Sequence, residues 1–351
     1  MKILRYVMWP LSVLYDLVTR LRNHLYDSGY KPSVSFDRFT ICIGNLNVGG
    51  SGKTPLTEYL IRHLQSQYKL GVVSRGYGRR TKGFRLASNG ESAITIGDEP
   101  FQYYRKYGST VAVAVGEERA LAVPHLLHEH SDIDVVLLDD AFQHRAVQAH
   151  FSVLVTDFSL PFYQDHLLPM GRLREARKFS RRAQVIVVSK CPPDLTSGVM
   201  SSMRKQIGRY AGERPVFFST IRYGDAISFG LPATALSRVT LLTGIAKTGD
   251  LVAYCQSRWE LVHHFAYADH HRYTSEELKA VVAFARSNHS VLLTTEKDMV
   301  RLIGGEFGAV ISQEPWFYVP IEIEFLKNGP AFDGLVRQSI QEFSNEHPVL
   351  S

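Results

Sequence analysis

Gly49-Gly50-Ser51-Gly52-Lys53-Thr54 places four small residues ahead of a lysine and a hydroxyl, between an apolar run and a helical pattern. At a strand-to-helix turn this order makes a phosphate loop. Backbone N–H groups wrap the oxygens, Lys53 reaches the β- and γ-phosphates, and Thr54 offers its hydroxyl to Mg²⁺. The cradle is expected to run from Asn47 and Val48 through Gly49, Gly50, Ser51 and Gly52 to Lys53 and Thr54. The strict pattern wants glycine at 47. Asn47 stands there instead, a residue that tolerates positive φ better than most. A metal-side carboxylate belongs at the end of a neighbouring buried strand, and Val135-Val136-Leu137-Leu138-Asp139-Asp140 ends an apolar run in two acids. Asp139 reads as the metal ligand and Asp140 as the partner for water or substrate. The two segments together describe a protein that handles a nucleoside triphosphate.

Other apolar runs also end in polar clusters. Ser74-Arg75-Gly76-Tyr77-Gly78-Arg79 combines a flexible backbone with two guanidiniums, which suits an anion. Gly97-Asp98-Glu99-Pro100 puts two acids in a turn, where they could equally cap a helix starting at Pro100. Val187-Val188-Ser189-Lys190 approaches a guanine-reading motif, but Asp194 lies two places too far. Ser189-Lys190 is therefore read as a base-side or structural feature, and ATP as the nucleotide. Asp269-His270-His271 and Thr294-Thr295-Glu296-Lys297-Asp298 lie in the second half. His263, His264, His270, His271 and Asp269 could be taken for a metallohydrolase cluster. Adjacent strand residues point to opposite faces, however, and no zinc-type Cys/His spacing is present.

These groups need a scaffold that gathers strand ends. From about residue 38, short apolar strands at 39–43, 70–73, 111–115, 135–138, 151–155 and 185–188 alternate with helical patterns. That is the signature of a parallel sheet buried on both faces. The expected fold is α/β: a P-loop NTPase-like parallel sheet domain over 31–215, a linker over 216–237 and a smaller α/β domain over 238–328. The tail, 329–351, is expected to be polar apart from a helical turn or two.

The 351 residues suit roughly two domains. The 45% hydrophobic and 21% charged content excludes a disordered chain, a coiled coil or a fibrous repeat. A net charge of +6 favours an anionic partner; without aromatic-basic stacking segments, nucleic acid is not expected. Three cysteines without short spacing exclude a disulfide scaffold. Residues 1–30 differ from the rest. Leu4, Val7, Met8, Leu11, Leu14, Tyr15, Val18, Leu21 and Leu25 recur at helical spacing opposite Arg5, Ser12, Asp16, Thr19 and Asn23. The uncharged run before Asp16 is about ten residues, against the roughly 20 a spanning helix needs. Trp9, Tyr6 and Tyr15 with Arg5, Arg20, Arg22 and Lys31 suit an amphipathic, membrane-associated helix resting at a lipid interface.

Taken together, the loop ending Lys53-Thr54-Pro55, Ser74–Arg79, Gly97–Pro100, Leu138-Asp139-Asp140-Ala141-Phe142-Gln143-His144-Arg145, Asp269-His270-His271 and Thr294–Asp298 resemble the tetraacyldisaccharide 4'-kinase family. Two departures stand out. Ala141 occupies a glycine position of the family, and the proline and phenylalanine expected after Gly244-Ile245-Ala246 are replaced, with Thr248 and Leu251 nearby. The resemblance implies transfer of the ATP γ-phosphate to the 4'-hydroxyl of an acylated disaccharide 1-phosphate lipid at the cytoplasmic face of the bacterial inner membrane. No obligate protein partner is expected. It assigns catalysis to Lys53, Asp139, Asp140 and an Asp98–His270 pair acting as proton acceptor. Glu99, Gln143 and His144 would flank the acceptor, with Arg75, Arg79, Arg172 and Arg174 as candidates for its phosphate and Glu175 pairing with one of them. The rival from another class is a nucleotide-hydrolysing switch or metallochaperone.

Overall fold

All six residues of β1 (Phe39–Gly44) are buried, as are all five of β2 (Leu70–Ser74), β5 (Val135–Asp139) and β7 (Val185–Ser189). Strands with no solvent face must lie inside a sheet covered on both sides. A computed structural model of the chain describes residues 2–232, 236–303 and 307–347, with side chains from residue 8 onward. In chain order its first part contains helix α1 (Lys2–Asp27), β1, α2 (Lys53–Leu64), β2, β3 (Arg85–Leu86), α3 (Ala93–Ile96) and α4 (Asp98–Tyr107). β4 (Val111–Val115), α5 (Arg119–Glu129), β5, β6 (Phe151–Asp157), β7, α6 (Ser197–Ala211) and β8 (Val216–Tyr223) follow. The second part holds β9 (Ile227–Ser228), β10 (Arg238–Thr243), α7 (Gly249–Arg258), β11 (Glu260–Ala266), α8 (Ser275–Ser287), β12 (Val291–Thr295), α9 (Glu296–Ile303), α10 (Gly308–Ile311) and β13 (Trp316–Val319). The chain closes with β14 (Ile321–Phe325) and α11 (Gly329–Glu346).

Among the described residues, nine strands form the larger sheet in the order β14-β8-β7-β6-β1-β5-β2-β4-β3. The seven inner strands run parallel, and β14 and β3 close the edges antiparallel. Leu56, Leu60, Tyr103, Phe332 and Val336 bring α2, α4 and α11 onto one face. Val123, Leu126, Met200 and Ile207 bring α5 and α6 onto the other. β1 lies at the middle, between β5 and β6, where the order of connection reverses. Open α/β sheets bind ligands just beyond such a reversal. The smaller sheet, β11-β10-β12-β13-β9, is parallel except for β9.

Three sequence-based boundaries need correction. Residues 216–223, predicted as linker, are β8, paired in parallel with β7. Residues 321–325, predicted in the smaller domain, are β14, which pairs with β8 in register Ile321↔Tyr223. The tail predicted as polar is an 18-residue helix whose Phe332, Val336 and Ile340 enter the main core. Part of the predicted linker, 233–235, lies outside the described residues.

α1 packs inside out. Its polar stripe faces the protein: Ser12, Thr19 and Asn23 are buried. Ser12 Oγ donates to the Leu167 carbonyl (3.2 Å), and Tyr15, expected on the lipid-facing stripe, instead turns inward and donates its hydroxyl to the Arg174 carbonyl (3.0 Å). Asn23 donates to Glu175 (3.1 Å) and accepts from Arg145 (3.0 Å). Its apolar stripe faces outward, with Trp9, Leu14, Leu17, Val18 and Leu21 each about 60% exposed. No helix among the described residues is long and apolar enough to cross a membrane. The predicted contributions of Leu4, Arg5, Tyr6 and Val7 fall outside the described side chains.

Candidate active site

The loop between β1 and α2 is shaped by glycine where only glycine fits. Gly49 and Gly52 have φ of 109° and 86°, and Gly52 precedes the first turn of α2 in the left-handed region. Asn47 does not take the positive φ expected of it. Its side chain donates instead to Asp165 Oδ2 (2.7 Å), which anchors the start of the loop. The Val48 N–H donates to the Arg172 carbonyl (2.7 Å), and Asn45 Nδ2 donates to Ser51 Oγ (2.8 Å). Ser189 Oγ donates to the Ser51 carbonyl (2.6 Å), and Lys190 reaches the Gly50 carbonyl and Asp157 (3.2 Å). Ser189 and Lys190 thus both brace the loop through its carbonyls.

Asp139 and Asp140 end β5 beside this loop, in contrasting surroundings. Asp139 is 4% exposed; Ser74 Oγ donates to its Oδ2 at 3.4 Å, while its Oδ1 is buried with no hydrogen-bond partner. Burial, reinforced by the neighbouring Asp140 charge, pushes its pKa up to about 7. A buried carboxylate oxygen left unsatisfied is costly unless something cationic meets it. This oxygen and the Thr54 hydroxyl at the start of α2 are hard oxygen donors of the kind Mg²⁺ takes. Asp140 takes the positive φ of the turn (46°), so Ala141 needs none and packs buried in the family's glycine position. Burial would raise the Asp140 pKa too, but Lys53 (3.7 Å) and Arg174 (2.8 Å) hold it down to about 2.

Asp98 is the first residue of α4. Gly97, which precedes it, packs so closely on the loop after β2 that a Cβ there would stand 3.0 Å from Gly76 Cα. Because β1, β5 and β2 are successive in the sheet, Lys53, Asp139 and the Gly76–Gly97 contact that precedes Asp98 line one edge in that order. Across from Asp98, His270 holds a positive φ of 59°, with its N–H donating to the Gly244 carbonyl (3.2 Å). His270 Nδ1 lies 3.5 Å from Asp98 Oδ2. The predicted pair is therefore brought together from the two sheets. Burial opposes ionisation of Asp98, yet the bond from His270 and the Arg301 guanidinium pull its pKa below the usual carboxylate value. Glu99 follows, 3.8 Å from Lys297.

The acceptor-side predictions divide. Gln143 Nε2 donates to the Asn45 carbonyl (2.9 Å), binding the 141–144 segment to the end of β1. His144 Nε2 accepts from the Arg119 N–H (3.2 Å); burial and the Arg119 charge lower its pKa to about 4, so it is neutral near pH 7. Arg174 grips both Asp140 oxygens and the Asn45 carbonyl. Arg79 is turned away into a pair with Glu117 (2.5 Å). Arg75 and Arg172 remain exposed. Glu175 does not pair with any of the four predicted arginines. It is fully buried against Arg182 and Asn23, and so fastens α1 rather than meeting a ligand.

Two groups escaped the sequence reading. Arg119 is 3% exposed and hydrogen-bonds the Asp140 carbonyl (3.4 Å); Arg301 joins Asp98 to Asp298. Neither stands in a glycine-rich or acidic motif; only the i, i+3 spacing from Asp298 marks Arg301. The other histidines disperse: His264 bonds Thr243 (2.8 Å), His271 bonds Glu277 (3.1 Å), and His263 packs on Phe265 and Phe284. A cavity of about 640 Å³ opens between the end of α1 and the 141–149 segment, with Leu138 and Phe142 among its lining residues and Lys31 and Arg145 beside them.

The chain matches the family model described as tetraacyldisaccharide-1-P 4'-kinase over residues 4–341. It is 38% identical over 339 residues to the tetraacyldisaccharide 4'-kinase of Flavobacterium psychrophilum, covering 95% of this chain and 96% of that one. It is 39% identical to the enzyme of the same name from Bacteroides thetaiotaomicron, over 92% and 89% of the two chains. Among solved structures it is similar to LpxK from Aquifex aeolicus in complex with ATP, with a TM-score of 0.74 at 25% identity over 96% of this chain and 99% of that one.

Proposed function

The chain belongs to the tetraacyldisaccharide 4'-kinase family, and on that premise we infer that it transfers the γ-phosphate of ATP to the 4'-hydroxyl of a tetraacyldisaccharide 1-phosphate, forming lipid IVA in lipid A biosynthesis. It is an ATP-dependent phosphotransferase with an alcohol as acceptor. The switch and metallochaperone reading is not favoured by these relatives.

The observation that carries the residue assignment is the order along one sheet edge: phosphate loop, buried Asp139, then an Asp98–His270 pair supplied from both sheets. The transition state of phosphoryl transfer is loose, so positioning and charge neutralisation dominate. The 47–54 backbone and Lys53 bind the phosphates; Lys53 would exchange its 3.7 Å contact with Asp140 for the γ-phosphate. Thr54 and Asp139 would hold Mg²⁺, which supplies neutralisation of the phosphate oxygens. The acceptor oxygen bonds to the γ-phosphorus as the bond to the β-phosphate oxygen breaks and ADP leaves. The hydroxyl proton passes to the Asp98–His270 pair, with Asp98 as its immediate acceptor. Arg75 and Arg172 are the arginines we assign to the acceptor's phosphate, because Arg79 is already paired.

The outward apolar stripe of α1 supports residence at a membrane surface, and we place it at the cytoplasmic leaflet of the inner membrane. The test is transfer of label from γ-labelled ATP to the acylated disaccharide in detergent micelles. Lipid left unlabelled while ATP is hydrolysed would overturn the reading.

A further inference from the structure

His270 is not the main support of the Asp98 carboxylate. Arg301, on α9, donates from Nε to Asp98 Oδ2 at 2.7 Å. The same guanidinium donates from Nη1 to Asp298 Oδ1 (2.8 Å) and to the Gly244 carbonyl (2.9 Å), while Nη2 lies 3.1 Å from His270 Nδ1. Its side chain is only 9% exposed. Asp298, fully buried, is itself fixed. Its Oδ2 accepts from the Gly244 N–H (3.0 Å) and Thr295 Oγ1 (2.7 Å), and its Oδ1 accepts from the Tyr273 hydroxyl (3.0 Å). The fork is thus rigidly set from behind before it meets Asp98, and planar fork geometry is what distinguishes arginine from lysine at such a site. All of the Asp98 contacts fall on Oδ2; among the described residues Oδ1 has no hydrogen-bond partner.

We propose that Arg301 is a positioning residue of the phosphoryl transfer: it clamps one oxygen of Asp98, keeps that carboxylate ionised, and leaves the other oxygen free to take the proton of the acceptor hydroxyl. The proposal rests on the reading of Asp98 as proton acceptor. Because Asp98 and Arg301 belong to different sheets' helices, the clamp also makes the base competent only while the two parts are in contact.

The charged groups facing Asp98 are Arg301 and Lys297 from α9, His270 from the loop before α8, and its neighbour Glu99. Removing Arg301 leaves Lys297 and His270, so ionisation of Asp98 is weakened but not lost. The acid limb of kcat is the pH range where activity falls as the base becomes protonated. It should therefore move upward by about one pH unit in Arg301→Gln. In the same variant kcat at pH 7.5 should fall by about 10²-fold, with KM for ATP within about twofold of wild type, since the phosphate loop is untouched. Arg301→Lys retains the charge without the fork; its acid limb should stay where the wild type has it, with kcat lowered by about tenfold or less. A loss of packing alone would shift neither limb. A folded Arg301→Gln enzyme with wild-type kcat and acid limb overturns the proposal. If that variant does not fold, Arg301→Lys decides: a lowered kcat at an unmoved limb and unchanged KM for ATP supports the clamp, and wild-type kcat or a limb moved upward overturns it. Asp98→Asn is the control for the premise. Wild-type turnover there removes Asp98 as the base, whereas its loss beside an unaffected Arg301→Gln removes only the clamp.

Discussion

Replacing Leu14, Leu17 and Leu21 together by glutamine tests whether α1 is built to meet lipid. Glutamine matches leucine closely in helix propensity, so the helix itself should survive. In the structure the three side chains are about 60% exposed: 59% for Leu14 and Leu17, and 60% for Leu21. Full burial of a leucine is worth about 1.5–3 kcal/mol, so each has roughly 1 kcal/mol or slightly more still to gain from an apolar phase. Three such losses amount to about 3–4 kcal/mol, or a partition coefficient lower by roughly 10²–10³-fold. Co-sedimentation with vesicles containing acidic phospholipid reads this directly. The fold should barely notice, because the side chains that seat α1 are Ser12, Tyr15, Thr19 and Asn23 on the opposite stripe. Unfolding midpoints should stay close to wild type. Unchanged vesicle binding with an intact fold would refute the reasoning, and so would a large loss of stability, which would mean that the leucines pack on protein.

Lys106 lies between two buried acids, 2.6 Å from Glu58 on α2 and 2.8 Å from Glu296 on α9. Lys106→Met strands both carboxylates and should cost about 3–5 kcal/mol in urea unfolding, the usual range for breaking a buried ion pair. Asp139 bears on pH. Its folded pKa, pushed up to about 7, lies above that of an unfolded aspartate, so the folded state holds the extra proton between the two. The nucleotide- and metal-free protein should therefore lose stability as pH rises from about 4 to 7 and level off above. Asp139→Asn should remove that slope and stabilise the free protein at pH 8 by about 1–3 kcal/mol while abolishing phosphotransfer. Denaturant unfolding at several pH values checks both statements.

What was legible in the chain depended on how many residues repeat one message. The strands that carry the site announced themselves because strands buried on both faces are apolar at every position, as in Val135–Leu138. The phosphate loop was legible because glycine at 49 and 52 answers a backbone requirement that no other residue meets cheaply. α11 was lost because its buried stripe is one residue per turn, Phe332, Val336 and Ile340, inside an otherwise polar segment. β14 was lost although Ile321-Glu322-Ile323-Glu324-Phe325 alternates as an edge strand should; five residues beyond a proline were absorbed into the preceding pattern. For α1 the periodicity was plain, but hydropathy does not say which stripe the protein will claim. That was settled by partners far along the chain, such as Glu175 and Leu167. Arg301 and Arg119 matter through whom they touch, and single arginines among 40 basic residues carry no such label.

The pairing of β8 with β14 decides how the second lobe is tied to the large sheet. The chain leaves the large sheet at Tyr223 and re-enters it at Ile321, two residues that face each other across one ladder. Everything between them is an insertion whose two ends are adjacent, carried on a doubled stalk instead of a single tether. Both ends of the inserted lobe are therefore anchored at one point of the large sheet. His270 and Arg301 thus reach Asp98 from a lobe held at both its ends by one strand pair, with α11 packed against that pair.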